Sequence, residues 1–409
     1  MNKKIKEKIA IFIDTSENSG GAYQESLYLI ENINNLNTDE LDIVIVSTSK
    51  SLVENFKKNN FQAYYFSMNA FERYVGFLRN YGSFVRRFKK YFFFNNKLEK
   101  FLKKNSIDLV YFTNPSPYSL YLEDTDFIIT VPDVSHREEI EFPEWAKSDF
   151  QWKEEILSKS TIKAVAVITN AEIIKERISL FYSVLKERIY VISQQPSLSI
   201  SNFEKIDVSK SEEFKKLYQL PKKYIFYPAM YLPHKNHKYV IDVIKILNLK
   251  YKINLSAVFC GSDKGYLKKI KKYVSEQKQN DNIIFLDFVK SEYLPYLYLN
   301  SLALAMPTFS GPTNIPPWEA FKMEIPVLYS DIHNIKKVYK DAVYYINPLD
   351  PQTMVEGIKN ITEDNDLRNK LKENGKKLLE SVNINKEFEE FFSIIKKRKK
   401  IKETWKFNN

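Results

Sequence analysis

The chain has 409 residues, 44% hydrophobic and 28% charged, and 62 Lys and Arg against 51 Asp and Glu give it a net charge of +11. That length exceeds one ordinary core and predicts two domains of about 200 residues each, while the absence of any low-complexity tract excludes a disordered or fibrous chain. A single cysteine, Cys260, excludes an internal disulfide or a thiolate zinc cluster and fits a reducing, cytoplasmic setting.

The first half alternates strand and helix signals. KIAIFID (8–14) reads as a strand, followed by a turn around Gly20-Gly21 and a helix to about Leu36. The basic start MNKKIKEK leads only into IAIFI, too short for a signal peptide. Further strands are predicted at 41–47 (LDIVIVS), 61–66 (FQAYYF), 107–112 (IDLVYF), 127–133 (FIITVPD), 165–169 (VAVIT) and 188–193 (RIYVIS). Between the third and fourth lies a basic aromatic stretch, 71–104. Phe77, Tyr81, Phe84, Phe88 and Tyr91 fall there at helical spacing, with Arg79, Arg86, Arg87, Lys89, Lys90 and Lys97 on other sides. Such a helix suits peripheral contact with an anionic membrane face; as a stripe of core residues under a solvated face it is equally regular. No apolar run reaches the length of about 18 residues that a spanning helix needs.

Residues 194–220 are polar, lack a strand signal and are the best candidate linker. Beyond them strands are predicted at 223–228 (KYIFYP), 254–260 (NLSAVFC), 282–286 (NIIFL), 302–306 (LALAM), 325–329 (IPVLY) and 343–346 (VYYI), with helices between. Near-continuous apolar strands separated by helices argue for parallel sheets covered on both faces. The expected division is an N-terminal domain 1–205, a second domain 206–382 and a basic helix 383–409 packing back toward the first. The loop PTFSGPTN (307–314) joins a strand to a helix starting near Ile315. Asn314 is a candidate N-cap, Pro316 and Pro317 are tolerated in a first turn, and the free N–H groups there make a ready anion site. Glu319 is expected in that first turn, where the helix dipole favours a carboxylate.

The run DNIIFLDFVKSEYLPYLYLNSLALAMPTFSGPTNIPPWEAFKMEIPVLYSDI resembles the retaining glycosyltransferases of family 4, and YPAMYLPHKNHKYVIDVIKIL and DAVYYINPLDPQTMVEGI resemble its flanking segments. The resemblance covers most of 224–381 closely and the first half more loosely. It implies an α/β fold of GT-B type: two Rossmann-like, doubly wound domains facing across a cleft. It also implies transfer of a hexose or deoxyhexose from a nucleotide-diphosphate sugar to a glycan or lipid-linked acceptor, with retention, in cell-surface polysaccharide synthesis. No cofactor and no metal are expected. The Asp-x-Asp at Asp124 and Asp126 leads into a strand and reads as chance.

By the same resemblance, Lys235 is the phosphate cation, and His234 stands where an Arg precedes it in the family. Glu319 implies a ribose ligand, able to accept from both hydroxyls. The family motif has a first Glu at the position of Gly311. This chain resembles a subgroup with Gly-Pro-Thr-Asn-Ile-Pro there, and Gly311, Thr313, Asn314 and Ile315 are expected to meet the donor instead. Gly20, Gly21, Asp133 and His136 are expected on the acceptor side, with His136, Lys235 and Asn314 as catalytic candidates; His237 is expected to cap a helix. Three other readings compete: a catalytically degenerate sugar-nucleotide binder, a GT-B epimerase, and a basic nucleic-acid binder. The last has the charge but none of the recognisable binding modules, so no nucleic-acid partner is expected.

Overall fold

The computed structural model describes residues 6–15, 20–35, 41–73, 96–203, 208–286, 289–311 and 314–405. The chain divides into two compact units. Unit 1 comprises residues 1–134, 148–193 and 384–409; unit 2 comprises 135–147 and 194–383. The division therefore falls at 193/194, upstream of the expected 205/206, and assigns a short inserted segment to the second unit.

Unit 1 is built on seven parallel strands: β1 (Glu7–Ile13), β2 (Leu41–Ser47), β3 (Ala63–Tyr65), β4 (Leu109–Phe112), β5 (Asp126–Thr130), β6 (Ala166–Thr169) and β7 (Ile189–Val191). Their order is β3-β2-β1-β4-β5-β6-β7, so the direction of winding reverses between β1 and β4. Full pairing of β1 with β2, from Glu7 opposite Leu41 to Ile13 opposite Ser47, anchors the centre. These strands are apolar on both faces because helices cover both, and Ala10, Val44, Ile45 and Val110 are fully buried. The C-terminal helix, Ile384–Glu403, belongs to this unit. Its Phe388, Phe391 and Ile395 lie in the core with Ile9, Ile11 and Tyr111. Ser193 donates to Glu387 from both N–H and hydroxyl, at 2.8 and 2.7 Å. Arg398, 8% exposed, pairs with Glu7 and Asp126 and donates to the Asp108 carbonyl.

Unit 2 holds six parallel strands: β8 (Tyr224–Pro228), β9 (Ser256–Cys260), β10 (Ile283–Leu286), β11 (Ala303–Met306), β12 (Val327–Ser330) and β13 (Tyr344–Ile346). The order β10-β9-β8-β11-β12-β13 places the reversal between β8 and β11. Residues 194–220 are not a bare linker: they carry helices Leu198–Ser201 and Val208–Leu217, with Ile200 and Phe214 fully buried in this unit's core. Among the described residues no helix is long and apolar enough to cross a membrane. Most of the basic aromatic stretch, 74–95, lies outside the described residues.

Candidate functional site

In open parallel sheets, loops leaving the strand C-termini on either side of the reversal diverge and leave a ligand crevice. In unit 2 those loops follow β8 and β11. The β8 loop turns through a short 3-10 helix, Pro233–Lys235, and Asn236, at φ +57°, starts helix His237–Lys250. The β11 loop runs from Pro307 to Asn314 and enters helix Ile315–Lys322. The loops are stitched together: Phe309 N–H donates to the His234 carbonyl at 2.8 Å, and the Thr308 hydroxyl reaches the same carbonyl at 3.4 Å.

Lys235 and Asn314 meet here. The half-buried Lys235 Nζ donates to Asn314 Oδ1 at 3.0 Å. Asn314 occupies the N-cap position in extended backbone, yet its side chain makes no capping bond. Its Nδ2 turns back instead to the Gly311 carbonyl at 2.5 Å and the Tyr329 hydroxyl at 2.6 Å. Gly311 sits at φ +88°, and a Cβ there would stand 2.9 Å from Asn314 Nδ2, so glycine is required twice over. Pro316 and Pro317 have no N–H, so among the first three residues of the helix Ile315 alone carries a backbone donor. Thr313 lies outside the described residues.

Glu319 is the fifth residue of its helix, not a first-turn acid. It is 4% exposed; its carboxylate accepts from the Ser197 hydroxyl and, at 2.5 Å, from the Tyr298 hydroxyl. Burial raises its pKa, and the two hydroxyl donors oppose that shift. A carboxylate so placed is turned into the unit, where it holds the two hydroxyls. The helix starts at Ile315, where the sequence places it, so Glu319, four residues further on, lies just past the first turn.

His234 is held by an inserted segment. After β5 the chain leaves unit 1, and residues 135–147 pack in unit 2. Glu144 accepts from the His234 N–H at 3.0 Å and pairs with its Nδ1. Trp145 stacks on the ring at 6.3 Å, and Ser310 Oγ donates to Ser135 Oγ at 2.8 Å. Glu139 pairs with His333 at 3.3 Å. Burial lowers the His234 pKa, and the hydrogen bond to Glu144 opposes that shift. His136, expected with the first domain, belongs to this segment; it is fully buried, with its ring against Trp145 at 6.5 Å. His237 caps nothing: its ring lies among Tyr227, Tyr231 and Phe259, and burial depresses its pKa to about 3.

In unit 1 the corresponding crest carries Gly20 at φ +60°, Gly21 at the head of helix Gly21–Asn35, and Asp133, which pairs with Lys153 at 2.9 Å. Sequence reasoning missed the polar residues around them. Ser116 donates to Asp14 at 2.7 Å, Ser26 and Thr113 share a hydrogen bond of 2.8 Å, and Asn170 donates to Glu25 at 2.7 Å. The signal was available: Asp14, Thr113 and Asn170 each follow directly on a strand. Asp124 and Asp126 do not converge on a metal site, since Asp124 pairs with Lys103 at 3.2 Å and Asp126 with Arg398 and Lys402 at 2.7 Å.

Residues 209–378 match the family described as Glycosyl transferases group 1. The whole of that match lies in unit 2. The O-antigen chain mannosyltransferase RfbU of Salmonella typhimurium is 28% identical over 208 residues, which are 51% of this chain and 54% of RfbU. The chain thus spans about half the length of that curated relative. Anabaena HepE, solved in complex with UDP and glucose, superposes with a TM-score of 0.72 at 14% identity, over 95% of this chain and 99% of HepE. A glycosyltransferase from Rickettsia africae gives 0.69 at 16% identity, over 96% and 99%. The fold is that of the GT-B glycosyltransferases, as the sequence leads one to expect: α/β, with two Rossmann-like units.

Proposed function

We propose that the chain is a glycosyltransferase that moves a hexose or deoxyhexose from a nucleoside-diphosphate sugar to a glycan or lipid-linked acceptor in the assembly of a cell-surface polysaccharide. The observation that carries this reading is the meeting of Lys235 with Asn314 at the β8/β11 reversal, beside the Ile315 N–H. A departing diphosphate develops negative charge, and a fixed ammonium beside a helix N-terminus stabilises it without reorganisation. The group 1 domain over the same residues, and the nucleotide and sugar held by HepE, support a nucleotide-sugar donor. The O-antigen role in the name of RfbU supports a surface polysaccharide as product.

In this reading the acceptor hydroxyl attacks the anomeric carbon from the side on which the diphosphate leaves. The new glycosidic bond forms as the sugar–phosphate bond breaks, and the hydroxyl proton passes to the departing phosphate oxygen, so configuration is retained. Lys235 and Ile315 N–H meet the diphosphate, Gly311 and Asn314 border the sugar, and Gly20, Gly21 and Asp133 form the acceptor side of unit 1. Glu319 acts from beneath by holding Ser197 and Tyr298 in place. Residues 71–104 rest on an anionic leaflet, which flotation with and without anionic lipid tests.

Thermal-shift titration with UDP, GDP, ADP and TDP and their sugars tests the donor site, because a true ligand raises the melting temperature by mass action. One nucleotide series is expected to stabilise the protein, Lys235→Ala to abolish the effect, and turnover to survive excess EDTA. No shift with any nucleotide overturns the reading. Donor binding without transfer is the second reading, favoured by the inward-turned Glu319 and by glycine at 311; tight donor binding with no turnover on any lipid-linked or glycan acceptor would select it.

A further inference from the structure

Tyr329 lies near the C-terminal end of β12, fully buried, with its ring 4.9 Å from that of Tyr339. Its strand neighbours β11, so its hydroxyl reaches the loop that β11 feeds. There it donates to the Gly311 carbonyl at 2.6 Å and accepts from Asn314 Nδ2 at 2.6 Å. Asn314 Nδ2 also faces the carbonyls of Gly311, at 2.5 Å, and Ser310, at 3.2 Å. Every group on that side of the amide is thus an acceptor, and only the nitrogen end can face it. Rotating the amide by half a turn would set Oδ1 against two carbonyl oxygens. The orientation of Asn314 is therefore fixed, and its oxygen is left pointing at Lys235 Nζ, 3.0 Å away.

Gly311 allows this approach, since a Cβ would collide with the amide. The consequence is electrostatic as well as steric. Neither residue 311 nor residue 314 brings a negative charge, so the loop aligns the Lys235 ammonium through a neutral oxygen and does not cancel its charge.

We infer that Tyr329 is a positioning residue for the donor diphosphate, acting through the Asn314 amide on the Lys235 ammonium. The inference rests on the donor-site reading above and adds to it a residue that touches neither nucleotide nor sugar. Tyr329→Phe removes one hydroxyl and keeps the ring packing, so the variant folds. Titration calorimetry on the full chain with UDP and GDP, and in parallel with uridine and guanosine, reads the effect. For whichever diphosphate binds the wild type, Tyr329→Phe is expected to raise Kd about tenfold, the scale of one lost buried hydrogen bond. The Kd of the matching nucleoside is expected to stay unchanged, because no phosphate is present to sense Lys235. In a Lys235→Ala background the same substitution is expected to cost nothing further. An unchanged diphosphate Kd, an equal loss for nucleoside and diphosphate, or an additive loss in the Lys235→Ala background would each overturn the inference. A wild type that binds neither UDP nor GDP would instead remove the donor-site reading for these nucleotides, and the role of Tyr329 with it.

Discussion

Gly311 combines a left-handed backbone with a side-chain contact that leaves no room for a Cβ. Gly311→Ala is expected to cost about 1–2 kcal/mol through the φ angle alone, read as a lower melting temperature. Gly311→Glu restores the carboxylate of the resembled motif, yet it is expected to weaken UDP or GDP binding, because the amide of Asn314 is displaced from Lys235. Glu25 offers a different test. Burial raises its pKa from 4.5 to about 7, and Asn170 only partly opposes the shift. The folded state therefore holds a proton that the unfolded chain releases near pH 4.5. The resulting stabilisation is complete below that pH and is lost as pH rises to about 7, a change of about 3 kcal/mol. Glu25→Gln is expected to flatten this part of the profile and to be more stable than wild type at pH 8, as pH-resolved thermal melts would show. Sequence alone names Lys235 and Asn314 for separate reasons; the bond between them, 79 residues apart in the chain, belongs to the fold. Tyr329 reads in the sequence as one more strand residue, and Glu144 as an acid in a loop. Their roles depend on partners that no local pattern encodes.

Helices and strands were more legible than side-chain contacts. The thirteen strands among the described residues fall within or beside apolar runs visible in the sequence, because burial on both faces writes itself as uninterrupted hydrophobicity. The stretch 194–220 misleads because two short helices with few buried anchors, Ile200 and Phe214, leave most of it polar. The inserted segment 135–147 is hidden for a different reason: it is held by polar pairs, Glu144 with His234 and Glu139 with His333. The terminal helix is held from both sides, by apolar packing and by Arg398. Glu7 is itself 5% exposed, so removing the guanidinium leaves a buried carboxylate without its counter-charge. Arg398→Ala is expected to cost about 3–5 kcal/mol. Hydrogen exchange should show the loss in β1 and β5, where Glu7 and Asp126 lie.

At the scale of the molecule, neither unit is one continuous stretch of chain. Unit 1 closes only with residues 384–409, which arrive after the whole of unit 2. A fragment ending at residue 205 therefore lacks Phe388, Phe391 and Ile395 and uncovers the core they fill. Expressed alone it is expected to aggregate. Fusing 384–403 to its end through a flexible linker is expected to recover a soluble, cooperatively melting species, and a fragment that is already soluble and cooperative without the fusion would show that the helix is dispensable packing. The detour through 135–147 also sets a rule for building chimeras. Trading unit 2 for a homologous one takes four splice points, at 134/135, 147/148, 193/194 and 383/384, since a single cut in mid-chain would part Glu144 and Glu139 from His234 and His333, the partners they meet in their own unit.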